Sequence, residues 1–156
     1  MRLVALVLLA ATLLLPAQAP AQSVYIGSGK NSVQSGEFTV HYNALGTTQI
    51  PPEVAQRSGI TRSANRALVN IAVRRGRAAE SVAVAAKVEA SASNLAGQRQ
   101  TLQLREVREG DAIYYLGEAR IDNRDTLSFE VTATPEGGAP IRVMFSQEFW
   151  PAQGAR

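Results

Sequence analysis

From Phe38 onward, apolar and polar residues alternate with a period of two along much of the chain. This period is typical of β-strands that bury one face and leave the other in water. It predicts seven strand-like runs, and turn signals such as Glu109-Gly110-Asp111 and Pro135-Glu136-Gly137-Gly138 lie between most of them. The predicted inward positions are Phe38, Val40 and Tyr42; Ala67, Val69, Ile71 and Val73; Val82, Val84, Ala86, Val88 and Ala90; Leu102, Leu104 and Val107; Ile113, Tyr115, Gly117, Ala119 and Ile121; Leu127, Phe129, Val131 and Ala133; and Ile141, Val143, Phe145 and Phe149.

No helical pattern of core length separates these runs, which favours an all-β fold. We predict an immunoglobulin-like antiparallel sandwich of two sheets and about seven strands, and a small barrel is the alternative. The spacing Asp111-x-Ile113-x-Tyr115 after a turn resembles a tyrosine corner, which favours the sandwich. Val107 is out of step with Leu102 and Leu104, and a β-bulge near Arg105–Glu106 would restore the alternation.

One connection is much longer than a hairpin loop. It runs from Asn43 to Arg66 and contains Pro51-Pro52-Glu53, which resembles the first turn of a helix. Gly59 is a suitable stop, so we predict a short helix over about 52–58. The loop also carries the apolar residues Ile50, Val54 and Ile60, and we expect them to dock it on the sandwich.

The amino terminus has the pattern of a cleavable signal peptide over residues 1–21. A basic start, Met1-Arg2, precedes an apolar run over 3–15, which is shorter than a membrane-spanning helix. Small residues follow, and we predict cleavage after Ala21. Cleavage after Ala19 is the alternative, but it would place Pro20 at the new terminus.

The remaining chain divides by composition. Residues 22–36 are rich in Gly and Ser and are predicted to be a flexible arm, with a possible edge strand at Val24–Ile26. Residues 37–150 form the β-domain, and 151–156 a tail. Because the chain has no cysteine, we expect neither lipidation nor disulfides. No other apolar segment approaches membrane-spanning length. We therefore expect a soluble, non-lipidated protein of the periplasm.

Few residues offer catalytic or metal-binding chemistry. The formal net charge is only +3 and acids are interspersed among the arginines, which argues against a nucleic-acid partner. The single histidine, His41, falls on the outward face of its strand, where a polar surface role is the more common one. No nucleophile elbow or zinc-protease motif occurs, and the acids around Asp111 bracket a turn. We therefore expect no cofactor, no metal and no enzymatic activity.

Two groups of side chains are candidates for binding. The first comprises Arg62, Asn65 and Arg66 beside Tyr42-Asn43, which either line a ligand groove or hold the long loop by bonding its carbonyl groups. The second comprises Tyr114 with Leu116, Phe149 and Trp150. These form an apolar surface patch, unless the long loop covers the strand. The basic stretch Arg74-Arg75-Gly76-Arg77 is interpreted as a solvated hairpin tip.

Six ordered segments together resemble a family of small exported bacterial proteins, the domain of unknown function family 4426. The resemblance covers roughly Gly36 to Trp150 and implies a periplasmic, immunoglobulin-like sandwich without an established activity. No catalytic residue can be transferred from it. The segments are Val40–Ala44, Pro51–Ala55, Gly59–Ser63, Asn65–Asn70, Arg105–Tyr115 and Phe145–Phe149.

The sequence thus favours a non-enzymatic binding or interaction module that contacts another envelope protein or an envelope polymer. The alternatives are an accessory subunit of an envelope complex, or an envelope hydrolase whose site has an unfamiliar form. Neither the ligand nor the oligomeric state follows from the sequence.

Overall fold

A computed structural model describes residues 24–26, 31–122 and 124–150 of the chain. Within these residues, eleven strands form two sheets, joined by one short α-helix and two single-turn 3-10 helices. The prediction of an antiparallel all-β sandwich is confirmed. The elements are β1 (Val24–Ile26), β2 (Ser32–Ser35), β3 (Phe38–Gly46), α1 (Pro52–Arg57), β4 (Arg66–Arg75), β5 (Val82–Ala83), β6 (Ala86–Asn94), β7 (Arg99–Leu102), β8 (Arg105–Glu109), β9 (Ala112–Arg120), β10 (Asp125–Pro135) and β11 (Ile141–Phe149), with 3-10 turns over Thr47–Gln49 and Ala78–Glu80.

The two sheets differ in strand order and in the direction of one edge strand. Sheet 1 has the order β1-β11-β10-β6-β7, and all its neighbours are antiparallel except β1, which runs parallel to β11. Sheet 2 has the order β2-β3-β4-β9-β8, and β5 pairs with the end of β4 beyond β9. In sheet 2, β3 and β4 are the strands that the long connection joins.

Two of the seven predicted runs each divide into two strands, and β1 and β2 precede the first run, which makes eleven strands. The predicted run from Val82 to Ala90 divides into β5 of sheet 2 and β6 of sheet 1. The run from Leu102 to Val107 divides between β7 of sheet 1 and β8 of sheet 2. The predicted bulge near Arg105–Glu106 is therefore wrong, because the chain changes sheets just before it. Val82 is exposed rather than inward, since β5 lies at the end of its sheet.

The core lies between the sheets and is built from the predicted inward positions of β3, β4, β9, β10 and β11. An aromatic group lies at its centre. Phe145 stacks on Tyr42 with ring centroids 4.5 Å apart and on Phe129 at 4.9 Å. Tyr115 is also buried, and its hydroxyl accepts a hydrogen bond of 2.8 Å from the Ala86 N–H and donates one to Glu106. This hydroxyl links β9 to the start of β6, so Tyr115 has a structural role.

The long connection is ordered, as expected. Helix α1 has Pro52 near its start and Glu53 in its first turn, where an acid is favourable. Gly59 ends it with φ of +61°, a conformation that glycine adopts without strain. The Ile60 N–H then donates to the Ala55 carbonyl at 2.8 Å, which satisfies one of the free carbonyls of the last turn.

Sheet 2 begins earlier than the predicted domain boundary at residue 37. Ser32–Ser35, which lies within the predicted flexible arm, forms β2 and pairs antiparallel with β3. A strand is present at Val24–Ile26, the possible edge strand of the sequence. The predicted signal peptide over 1–21, its cleavage site at Ala21 or Ala19 and the tail over 151–156 lie outside the described residues. In the described part, no helix has the length and apolar character that crossing a membrane requires.

Candidate functional site

The outer face of sheet 2 is divided into two halves that differ in chemistry. The covered half consists of Leu45, Leu68 and Leu116, on which the long connection packs. The connection contributes Ile50, Ala55 and Ile60, which form a second small core with these leucines. Leu68 is thereby 8% exposed although its side chain points away from the main core. The expected docking of the loop through Ile50 and Ile60 is confirmed, whereas Val54 remains exposed.

Three polar side chains fasten the connection over the covered half. Buried Thr47 donates its hydroxyl to the Ser63 carbonyl at 3.0 Å and accepts from the Ser63 N–H at 2.9 Å, which clamps the two ends of the connection together. Arg62 donates to the Thr48 carbonyl at 2.8 Å, and Arg105 of β8 donates to the carbonyl of Ser58. Of the two roles considered for Arg62, the structure therefore supports holding the loop.

The open half is a groove that we call the outer-face groove. It has a volume of about 350 Å³, within the range of small-molecule sites. Asn43 and Asn70 lie directly opposite each other on β3 and β4, and His41 lies opposite Ala72. The residues that line the groove are Asn31, His41, Tyr42, Asn43, Asn70, Ala72, Arg74, Ala83, Ala112, Ile113 and Tyr114.

Asn70 carries an unpartnered acceptor in this groove. Its side-chain Oδ1 is buried and has no hydrogen-bond partner among the described residues. A buried acceptor without a partner costs free energy, because it has lost its hydrogen bonds to water. A donor that reached this oxygen would relieve that cost. The groove that Asn70 lines is therefore a candidate binding site.

The groove is also electrostatically simple. Partial burial and, secondarily, the positive charge of Arg74 lower the pKa of His41 below its ordinary value of 6.5, so the imidazole is neutral at neutral pH. Arg74 itself is engaged, since its Nε donates to the Ser81 hydroxyl at 2.8 Å and a second nitrogen donates to the Ser81 carbonyl. No carboxylate is among the described residues that line the groove. Apart from Arg74, the site thus presents neutral hydrogen-bonding groups.

A second groove lies on the other side of the loop, with a volume of about 540 Å³. Its polar groups satisfy one another. Arg66 forms an ion pair with Glu118. Gln100 of sheet 1 accepts from the Arg120 N–H and donates to the Arg120 carbonyl, both at 2.8 Å, and so joins the sheets at this edge. Because these partners are already matched, this flanking groove is the weaker candidate.

The first predicted group of binding residues is dispersed by the fold. Only Asn43 faces the outer-face groove with its side chain. The ring of Tyr42 lies in the core against Phe145, and burial raises its pKa above the ordinary value, so its side chain is no part of an outer surface. Arg66 lines the flanking groove, and Asn65 is exposed, with its carbonyl accepting from the Ile121 N–H at 3.1 Å.

The second predicted group does not form one patch. Leu116 belongs to the covered half, while Tyr114 lines the outer-face groove two residues earlier on β9. Phe149 is buried in the core. Trp150 follows β11 of the other sheet and is 59% exposed, with the Arg124 guanidinium 5.2 Å from its ring centroid. Of the two alternatives for β9, cover by the long loop thus holds for Leu116, and exposure at the surface holds for Tyr114.

The basic hairpin tip is less solvated than predicted. Besides the bonds from Arg74 to Ser81, Arg75 donates to the Glu136 carbonyl at 2.9 Å and lies over the Phe38 ring at 4.9 Å. These two arginines therefore fasten the tip to the sandwich, while Arg77 is exposed. His, Asp and Glu side chains form no cluster suited to a metal ion within residues 24–26, 31–122 and 124–150.

Sequence reasoning missed Asn70 as a site residue, although a signal was present. It is the one polar residue in the segment from Ala67 to Val73, where outward as well as inward positions are otherwise apolar. In this fold, that amide lies where the covered half of the face ends. His41 was correctly placed outward, but its proximity to Asn70 depends on strand register, which the sequence did not provide.

Comparison with known proteins places the chain in a family. The family model described as a domain of unknown function, DUF4426, matches residues 32–152. A crystal structure of a DUF4426 family protein from Pseudomonas aeruginosa PAO1 is 30% identical and superposes with a TM-score of 0.67, over 80% of this chain and 98% of that one. Among curated proteins, none matches the chain. The chain therefore belongs to the DUF4426 family of domains of unknown function.

Proposed function

We propose that this protein is an exported, non-enzymatic binding module of the periplasm and that the outer-face groove is its contact surface. The observation that carries the proposal is the buried, unpartnered Oδ1 of Asn70 in a groove of small-molecule size. Rigid strands, rather than loops, position Asn43, Asn70 and Tyr114 around it. Such a site is organised before a ligand arrives, which lowers the entropic cost of binding.

The chemistry of the groove favours binding over catalysis. His41 is the only histidine of the sequence, and a histidine base normally needs a carboxylate or carbonyl group to orient it. Its charged neighbour here is Arg74, which disfavours the imidazolium form that a proton transfer would produce. A hydrolase with an unrecognised site is for this reason the less favoured alternative.

The groove is tested by NMR on the isotope-labelled mature chain, titrated with separate lipid, polysaccharide and protein fractions of a bacterial envelope. We expect one fraction to shift the backbone amide signals of His41, Asn43, Asn70 and Tyr114 and to leave those of Thr132 on sheet 1 unchanged. If every fraction leaves the groove signals in place, or shifts only signals elsewhere, the groove is not the contact surface.

Export is tested separately by expressing the full chain in a bacterium with two membranes. We expect the product in the periplasmic fraction, with its amino-terminal residue at Gln22, one residue after Ala21. A variant with Leu8→Arg and Leu9→Arg in the apolar run should stay in the cytoplasm at full length. Full-length wild-type protein in the cytoplasm would contradict this part of the proposal.

An accessory subunit of an envelope complex is the second candidate, and Trp150 is the observation that favours it. Tryptophan is enriched at protein interfaces, and here it is 59% exposed beside Arg124. Sedimentation of wild type and Trp150→Ala would separate the two functions. A self-associating wild type with a monomeric variant supports a subunit role, and a monomeric wild type argues for the groove.

A further inference from the structure

We propose that the ligand of the outer-face groove is a neutral saccharide chain that donates a hydroxyl or acetamido hydrogen to Asn70 and packs a sugar ring on Tyr114. This inference rests on the proposed function and names its ligand class. Four properties of the groove favour this ligand: its hydrogen-bonding groups, its charge, its position in the sheet and its shape.

The hydrogen-bonding groups are of the kind that matches hydroxyls. Each amide of Asn43 and Asn70 offers both donors and an acceptor, and a neutral imidazole at His41 offers one of each. A sugar hydroxyl is likewise both donor and acceptor, so neighbouring hydroxyls match this set in either orientation. The buried Oδ1 of Asn70 requires a donor, which a hydroxyl or an acetamido N–H supplies.

The charge of the groove selects against cationic ligands. No carboxylate is among its described lining residues, so a cationic ligand finds no counter-charge there. Arg74 is the one charged residue of the described lining, and two of its five N–H donors already bond to Ser81. A neutral ligand needs no counter-charge in the groove.

The position of the groove argues against an extended peptide. Peptides that join a sheet bond to the backbone of an edge strand. Here the groove lies on the face of β3, β4 and β9, and β4 has sheet partners on both sides. Contacts therefore come from side chains, and the Tyr114 ring supplies an apolar surface for the C–H groups of a sugar ring.

The shape of the groove favours a chain over a single sugar. A cleft of about 770 Å³ between β5 and the β8–β9 turn adjoins it. The groove and the cleft share four lining residues, Arg74, Ala83, Ala112 and Ile113. A linear ligand can thus continue from the groove into the cleft, and each further sugar adds contact area.

The test is calorimetry and NMR with two series of uncharged sugars, glucose to maltotetraose and N-acetylglucosamine to its β-1,4-linked tetramer. In at least one series we expect Kd to fall about tenfold or more from the monomer to the trimer. Asn70→Ala should raise Kd about tenfold, the effect of losing one hydrogen bond to a buried group. Thr132→Ala on sheet 1 is the matched control and should bind as wild type does, and denaturant midpoints verify that each variant is folded.

Three outcomes overturn the saccharide. They are no binding of either series at millimolar sugar, equal binding by Asn70→Ala and wild type, and tighter binding of polygalacturonic acid, a charged polymer, than of both neutral series. If in these cases an envelope fraction still shifts the groove signals, the proposed function stands and only the ligand class is wrong. If no fraction shifts them, both fail together.

Discussion

The covered and open halves of sheet 2 use the same three strands for opposite purposes. On the covered half, Leu68 and Leu116 are sealed under a loop that brings its own apolar residues. On the open half, Asn70 and Tyr114 occupy the next outward positions of those strands, and no segment of the described chain covers them. A displacement of two residues along a strand thus separates a packing surface from a candidate binding surface.

The covered half adds to the stability of the fold, whereas the open half carries a feature that lowers it. The loop side gains burial of apolar area, which is the main favourable term in folding. The groove side retains a buried acceptor without a partner, which is unfavourable for folding alone. Proteins tolerate such local costs most often at functional sites.

The largest effect is expected from truncating Leu68. Leu68→Ala should lower the free energy of unfolding by about 2–5 kcal/mol, because it opens a cavity under the loop. Asn70→Ala, two residues along the same strand, should leave it unchanged or raise it, because the substitution removes a buried acceptor that has no partner. Urea unfolding of both variants measures the difference, and equal losses would show that the two halves are not distinct.

A smaller loss is expected at Thr47, which clamps the ends of the connection. Thr47→Val keeps the shape of the side chain but leaves the N–H and carbonyl of Ser63 without their partner. We expect a loss of about 1–3 kcal/mol in urea unfolding. Thr48→Val, at the neighbouring and less buried threonine, is the control and should lose less. A neutral Thr47→Val would mean that packing alone holds the loop.

Arg62 should have a local rather than a global effect. Arg62→Ala removes an exposed hydrogen bond to the Thr48 carbonyl, so the stability loss should be about 1 kcal/mol or less. Amide hydrogen exchange should accelerate across residues 47–63 and stay unchanged in the groove strands. Arg57→Ala, an exposed arginine of α1, serves as control. Faster exchange around Asn43 and Asn70 would indicate that the halves are coupled.

The smallest effect is the pH dependence that His41 introduces. Burial and Arg74 lower its folded pKa below 6.5, so the unfolded chain binds this proton more readily than the folded one. Stability should fall as the pH drops from about 6.5 toward the folded pKa, and His41→Gln should remove that part of the slope. Urea midpoints between about pH 7 and pH 5 measure it. Parallel slopes for both proteins would mean that neither burial nor Arg74 lowers the pKa of His41.

The fold was largely predictable because inward positions alternate cleanly along most strands. The alternation of Leu127, Phe129 and Val131, for example, corresponds to buried residues without exception. Short helix α1 followed from Pro52, Glu53 and Gly59, whose preferences are local. The sheet changes near Val84 and Leu104 were not predictable in this way, because a continuing alternation does not reveal which sheet each half of a run joins.

The site was less predictable, because it depends on register and on what the loop covers. The sequence placed Asn43 and Tyr114 among its candidates, and both line the groove. It did not indicate that Asn43 faces Asn70, which is set by the pairing of β3 with β4 across the long connection. Nor did it show that the loop stops short of Tyr114, since the reach of a loop is a property of its packing.

The parallel pairing of β1 with β11 has a consequence for the order of assembly. Val24–Ile26 is the earliest described segment, and its partner, Ile141–Phe149, is the last strand. The same last strand supplies Val143, Phe145 and Phe149 to the core. A chain that emerges amino end first therefore cannot complete sheet 1 until nearly all of it has emerged. With this topology, sheet 1 can be completed only when synthesis of the chain is almost finished.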